Sequence, residues 1–275
     1  MPYDDRRPPE PADLHAALSA TYPLDWGSPL PTRADLVSTH GRQAATASLA
    51  MIVDAVGREH GVTEAVLASV PPGSVAHQLE CRVKSPQSLA RKLGLSLRAK
   101  QTLTEPEDVL RFTVLLGSAN GFVDSARHAV DALRRCTWTV VAARNSYVDR
   151  SRYKGLHVYF GDPAGKPVEV QVHTKASIAV KKATTSLYAI ERDRSRPAHE
   201  RDAARAECVR LSDALETPPG LDGLATLGGV RVDVHGYGLP SNDRQRRGGA
   251  RAAERPFTER GDSARQRPAN ERIDR

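Results

Sequence analysis

The sequence predicts an α+β fold, a mixed β-sheet flanked by helices and containing one helical crossover. Two observations carry this. From residue 109 onward, short β-branched runs alternate with a helix-length segment and then give way to two further helical stretches. Within that half, Val168-Glu169-Val170-Gln171-Val172-His173 alternates strictly between valine and a polar group, which is the period of a strand. Val168, Val170 and Val172 are expected to face a core, with Glu169, Gln171 and His173 on the opposite surface. A carboxylate, an amide and an imidazole on one pleated face fit either a site or the polar side of an ordinary amphipathic strand.

Taken in order, residues 1–40 are proline-rich and read as a loosely ordered lead-in. The main domain is expected over 41–238. Leu49, Ile52, Val53 and Val56 recur at helical spacing, so Arg42 to His60 should form a helix that stops near Gly61. A second helix is expected from Thr63 to Val70, ended by Pro71-Pro72-Gly73. Ser85-Pro86 has the form of an N-cap followed by proline at the first helical position, opening a helix through Leu93. Strands are expected over Val109 to Leu116 and Thr137 to Arg144, with a helix from Phe122 to Arg135 between them. Leu156 to Phe160 and Val168 to His173 should pair as a hairpin around Asp162-Pro163-Ala164-Gly165. Ser177 to Asp193 and Glu200 to Leu215 read as closing helices, and Val230, Val232 and Val234 as a last short strand.

Composition excludes several classes. No run approaches the roughly 18 apolar residues of a membrane span. The N-terminus lacks the basic-then-apolar order of a signal peptide, so a cytoplasmic location is expected. Cys81, Cys136 and Cys208 are widely spaced, without a C-x-x-C pair, which argues against a zinc site or disulfide framework. The net charge is +7, but residues 239–275 hold ten Arg against six Asp and Glu, leaving +3 for the first 238 residues. That tail, poor in apolar residues, is expected to be disordered. Its charge suits RNA or an anionic surface and equally a solvated segment. The remainder is not basic enough to mark a dedicated nucleic-acid binder.

Three clusters could carry chemistry. In Arg82-Val83-Lys84-Ser85-Pro86-Gln87-Ser88-Leu89-Ala90-Arg91-Lys92, four basic residues and the Ser88 hydroxyl gather at a helix N-terminus. That suits a polyphosphate, and a solvated basic helix equally. Asp108 falls where a loop enters a strand; with Glu169 on a neighbouring strand it could hold one Mg²⁺. In Arg150-Ser151-Arg152-Tyr153-Lys154-Gly155-Leu156-His157, a tyrosine among cations could stack a base, or the segment is an exposed basic loop.

In chain order these elements resemble the synthetase domain of the RelA/SpoT family, which makes (p)ppGpp. Arg82, Lys84, Ser88, Leu89 and Lys92 meet its R-x-K-x-x-x-S-[IL]-x-x-K pattern. Tyr153-Lys154-Gly155-Leu156-His157 meets Y-[KR]-[SG]-[LI]-H, and Glu169, Val170, Gln171, Val172 and Thr174 meet E-[IV]-Q-[IV]-x-T. The match spans about Leu79 to Leu187. Arg111 follows Asp108 by three residues instead of five, His173 stands where arginine is usual, and Arg152 where glycine is usual. With Ser177 and Lys181, these departures look more like stand-alone ATP:nucleotide 3′-pyrophosphokinases and toxin small alarmone synthetases.

The resemblance implies a nucleotidyltransferase-like fold and synthesis without hydrolysis, since no His-Asp hydrolase motif is present. The implied reaction moves the β,γ-pyrophosphate of ATP to the 3′-hydroxyl of an acceptor purine nucleotide. Arg82 would lie against the adenine; Lys84, Ser88 and Lys92 would hold the donor phosphates; Asp108 and Glu169 would bind Mg²⁺, with Glu169 also taking the hydroxyl proton. Tyr153 would stack the acceptor base, with His157 and Gln171 near the reacting phosphate. Arg111, Arg144, Lys154 and His173 complete the expected substrate-binding set. Two alternatives remain at this level: a toxin-type enzyme acting on the tRNA 3′ end, which Arg152 and the tail would suit, and a non-catalytic nucleotide-binding regulator.

Overall fold

Four helices precede the sheet in the computed structural model, which describes residues 9–238. They are α1 (Pro11–Leu18), α2 (Arg33–His40), α3 (Arg42–Val56) and α4 (Glu59–Ser69). The expectation of a loosely ordered lead-in is therefore corrected: Leu14, Leu18 and Leu36 are buried in the same core as the rest. Pro11 sits in the first turn of α1, where its missing N–H costs nothing. Thr32 opens α2 with a reciprocal capping box, its hydroxyl accepting from Asp35 N while the Asp35 carboxylate accepts from Thr32 N. The break between α3 and α4 falls at Gly57-Arg58, and Gly61 is carried inside α4. Arg58 holds this corner by ion pairs to Asp54, Glu105 and Asp162. The expected tail, 239–275, lies outside the described residues.

Then follow β1 (Val75–Ala76), a 3₁₀ turn (Leu79–Cys81), α5 (Pro86–Arg98), β2 (Arg111–Leu115), α6 (Phe122–Arg135) and β3 (Thr139–Asn145). β4 (Leu156–Gly161), β5 (Pro167–His173), α7 (Lys175–Arg192), α8 (Ala198–Asp213), β6 (Thr226–Leu227) and β7 (Val230–Val234) complete the chain. The sheet order is β1-β2-β5-β4-β3-β7-β6. β2 runs parallel to β5, and β3 parallel to β7, while β4 is antiparallel to both of its neighbours. The fold is α+β, as expected. It has two helical crossovers, not one: α6 joins β2 to β3, and the α7–α8 pair joins β5 to the strand region at β7.

Strand register sorts the residues into two faces. Phe112, Val170 and Val158 stand in one cross-strand row, continued by Ala143 and Val232, and all five are buried in the core. On the other face Arg111, Glu169 and Tyr159 form one row, and Thr113, Gln171, His157 and Arg144 the next. The β4–β5 turn sets this alignment. Asp162 Oδ1 accepts from Ala164 N and Lys166 N, both at 2.9 Å, and Gly165 takes the positive φ of 75° that a side chain resists.

The least conventional core residue is Arg82, 1% exposed. Its guanidinium has five N–H donors and makes five hydrogen bonds. Nε donates to Glu59, Nη1 to the carbonyls of Pro23 and Leu79, and Nη2 to those of Leu18 and Tyr22. Arg82→Ala leaves the buried Glu59 carboxylate without its countercharge and removes the guanidinium donors of four carbonyls. Urea unfolding should register a loss of about 3–5 kcal/mol. Arg82→Lys should not restore it, because an ammonium lacks the planar fork.

Candidate active site

The segment before α5 is pinned to the start of β2. Arg111 N donates to Arg82 O at 2.7 Å and Lys84 N to Val109 O at 2.9 Å, with Val83 and Leu110 paired between them. This brings Lys84 beside Asp108. Ser85 caps α5, its hydroxyl accepting from Ser88 N, and the helix then carries Lys92 to the same carboxylate. Lys84 Nζ bonds Asp108 Oδ2, and Lys92 Nζ bonds Oδ1 at 2.7 Å. Burial alone would raise the Asp108 carboxyl. The two ammoniums overcome it and hold Asp108 at about 2. Burial pulls Lys84 below the ordinary lysine value, against the attraction of Asp108.

On the sheet, Glu169 Oε1 lies 2.7 Å from His157 Nδ1. Burial pushes the Glu169 carboxyl up, but the hydrogen bond and charge of His157, with Arg111, bring it below its usual range. An ionised Glu169 only accepts, so Nδ1–H is the donor. His157 Nε2 is buried without a hydrogen-bond partner. The Tyr153 hydroxyl donates to Gln171 Oε1 at 3.1 Å and lies 2.7 Å from His173 Nε2. Arg144 stacks 4.6 Å above the Tyr159 ring and pairs with Glu107 at 3.3 Å.

These groups open onto one cavity of about 890 Å³. Ten of the thirteen expected residues line it: Lys84, Ser88, Lys92, Asp108, Arg111, Arg144, Tyr153, His157, Glu169 and Gln171. Three do not. Arg82 is consumed by Glu59 and four carbonyls, so it cannot lie against a base. Lys154 is buried and pairs with Asp213 at 3.3 Å at the end of α8, which fixes the loop rather than a ligand. His173 is fully buried behind Tyr153, its Nδ1 on Ser177 Oγ at 3.0 Å. Burial and the charge of Lys181 hold its imidazole well below the ordinary histidine value, so it supports Tyr153 as a neutral ring. Gly155 makes this packing possible: a Cβ there would lie 2.6 Å from His173 Cε1.

Arg91, part of the basic cluster read from the sequence, also lines it, and other residues reach the cavity without having been expected there: Trp26, Tyr159, Lys181, Tyr188 and Tyr237 among them. Lys181 and Tyr188 recur along one side of α7, a helical spacing that the closing-helix reading already contained. Tyr237 follows β7 on an irregular segment, where no periodicity marks it. Its N–H donates to Ser151 Oγ, its carbonyl accepts from Arg152 N, and its ring packs edge-on to Tyr153 at 5.5 Å. Burial and Glu169 push the Tyr237 hydroxyl up to about 12. Arg152 is itself committed, paired with Glu191 and stacked 4.6 Å from the Tyr188 ring.

Eight Lys and Arg side chains line the cavity against four Asp and Glu, which suits a multiply charged anion. Asp108 and Glu169 are the two acids deepest in it. Among the described residues no three or more His, Cys, Asp or Glu side chains form a ready cation cage. Both Asp108 oxygens are bonded by lysines, and Glu169 Oε1 by His157. No helix among the described residues is long and apolar enough to cross a membrane.

Lys181 has no acid partner of its own among the described residues; it donates to Gln171 Oε1 at 3.4 Å and lies 5.9 Å from the Tyr153 ring. Burial, and then Arg111, pull it down to about 8 from an ordinary 10.5. Between pH 8 and 10.5 the unfolded lysine keeps a proton that the folded one has released, so stability rises with pH across that window. Below pH 8 both forms are protonated and the cost of burying the charge is constant. Lys181→Met should therefore raise the thermal midpoint at pH 7, with the gain shrinking towards pH 10.5. Melting curves at pH 7 and 10 check this, and an equal shift at both would contradict it.

No protein-family model matches the chain, and no curated protein sequence matches it. Among solved structures it is similar to the small alarmone synthetase 1 of Bacillus subtilis bound to its product pppGpp, at 21% identity over 57% of this chain and 88% of that chain, with a TM-score of 0.30. It is similar to the type VI effector Tas1, solved with its immunity protein, at 18% identity over 61% and 95% of the two chains and a TM-score of 0.34. A GTP pyrophosphokinase family protein of Streptococcus pneumoniae is matched at 19% identity over 62% and 83%, also with a TM-score of 0.34. What the cavity can do rests on its own residues.

Proposed function

We propose that this chain is a nucleotide pyrophosphokinase that transfers the β,γ-pyrophosphate of ATP to the 3′-hydroxyl of a purine nucleotide. The observation that carries this reading is the convergence of three separated segments on one cavity. Residues 84–92, Asp108, and the 153–171 hairpin region supply cations, two carboxylates and aromatic surface within it. The resemblance of those same segments to the RelA/SpoT synthetase motifs supports the reading independently of the geometry.

The chemistry is an in-line displacement. The acceptor oxygen forms a bond to the β-phosphorus, the bond from that phosphorus to the α,β-bridging oxygen breaks, and AMP leaves. Phosphoryl transfer of this kind depends mainly on positioning and charge neutralisation. Lys84, Ser88 and Lys92 would hold the donor triphosphate, with Arg111 beside the reacting phosphate. Glu169, ionised and held by the Nδ1–H of His157, would take the hydroxyl proton. Asp108 and Glu169 would hold Mg²⁺, which neutralises phosphate charge when bound. Because Asp108 is tied to both lysines, a triphosphate that drew Lys84 and Lys92 to itself would leave this carboxylate available to a cation. Tyr153, Tyr237 and Arg144 would form the acceptor end.

The direct test uses the purified chain, Mg²⁺ and γ-³²P-ATP with GDP, GTP, AMP, ADP, additional ATP or bulk tRNA. Label should move to a more highly phosphorylated nucleotide, and that lane names the acceptor. Label moving only to tRNA would replace the free-nucleotide reading. Glu169→Gln should lower turnover by about 10²–10⁴ while ATP still binds. Asp108→Asn should abolish transfer, and raising the Mg²⁺ concentration should not recover it. Near-normal turnover by either variant would remove that carboxylate from the mechanism.

A further inference from the structure

With Arg82 locked in the core, the donor nucleoside needs another partner, and the cavity contains one. Trp26 lies on the segment between α1 and α2, and that segment is held rigidly. Arg82 Nη1 binds Pro23 O at 2.8 Å, Asp25 N donates to Glu80 O at 2.7 Å, and Trp26 Nε1 donates to Val83 O at 3.0 Å. The last bond sets the indole directly beside Lys84. His15 packs against it, ring centroids 5.4 Å apart and planes at 67°, fixing its orientation.

The remaining aromatic rings of the cavity, four tyrosines, come from the β3–β4 loop, β4, α7 and the segment after β7. Trp26 stands at the entry to α5, its indole bonded to Val83 O, the residue before Lys84. Leu95, one of the few large apolar side chains exposed among the described residues (43%), lines the cavity from α5, and Val83 does so beneath the indole's hydrogen bond. An aromatic ring beside the cations at the start of α5 has the character of a base-stacking surface. A phosphate-only site has no use for it.

We propose that Trp26 is the donor-base residue of this site, stacking the adenine of ATP while Lys84, Ser88 and Lys92 hold its phosphates. This rests on the pyrophosphokinase reading and adds to it the element that distinguishes a nucleotide from bare polyphosphate. Arg82 then acts as a positioning residue: it orders the backbone that presents the indole.

The test reads binding rather than turnover. The chain has two tryptophans, and Trp138 is buried in the core against Phe160, so a ligand-dependent change in emission reports Trp26. ATP should quench the emission of the wild-type chain, and inorganic tripolyphosphate should not. By calorimetry, Trp26→Ala should weaken ATP at least tenfold, the loss of one base–aromatic stack, and leave tripolyphosphate affinity unchanged. Trp26→Phe should retain most of the ATP affinity. The proposal is overturned by unchanged ATP affinity in Trp26→Ala, by ATP and tripolyphosphate weakening together, or by wild-type protein binding both equally. A wild-type chain that binds neither would instead remove the pyrophosphokinase reading itself.

Discussion

The geometry of the cavity depends on a buried ion pair that never touches it. Arg82 and Glu59 are both taken out of water, and such a pair persists only when the other donors and acceptors are satisfied. Here they are: four carbonyls use the remaining guanidinium protons, and Thr63 Oγ1 donates to Glu59 at 2.5 Å. Those carbonyls belong to the end of α1, the following segment and the 3₁₀ turn. One side chain thus ties the N-terminal helices to the strand entry that carries Lys84 and Asp108.

A second constraint is electrostatic. The cavity holds its cations close together and supplies too few acids to neutralise them, while Asp108 and Glu169 are each held ionised by basic neighbours. Lys181, whose charge costs stability, sits in the middle of this arrangement. An unliganded protein bears that cost continuously, and a bound polyanion would relieve it. Stability given up in favour of ligand complementarity is a familiar property of active sites.

What was legible in the sequence follows from how local each signal is. The parity of Val168 to His173 depends on neighbouring residues alone, and the strand places its valines and polar groups on opposite faces as that parity requires. Ser85-Pro86 likewise declares its helix start, although α5 runs on to Arg98. Arg82 and Lys154 read as substrate-binding cations, because the acids and carbonyls that bury them come from residues up to 64 positions away. Proline in residues 1–40 suggested disorder, yet Thr32 and Asp35 held the capping-box signature that marks α2. Trp26 and Tyr237 lie on irregular segments whose course is set by tertiary hydrogen bonds, which no periodicity records.

The β4–β5 turn acts as a ruler for chemistry performed at the other end of the strands. Both strands alternate strictly, so an offset of one residue would deliver valines to the cavity and carry Glu169, Gln171 and His157 into the apolar core. Asp162 clamps that count through its own turn and through Arg58 at the α3–α4 corner. A substitution in this turn, remote from every candidate catalytic atom, would act as an active-site mutation by altering which side chains arrive there at all.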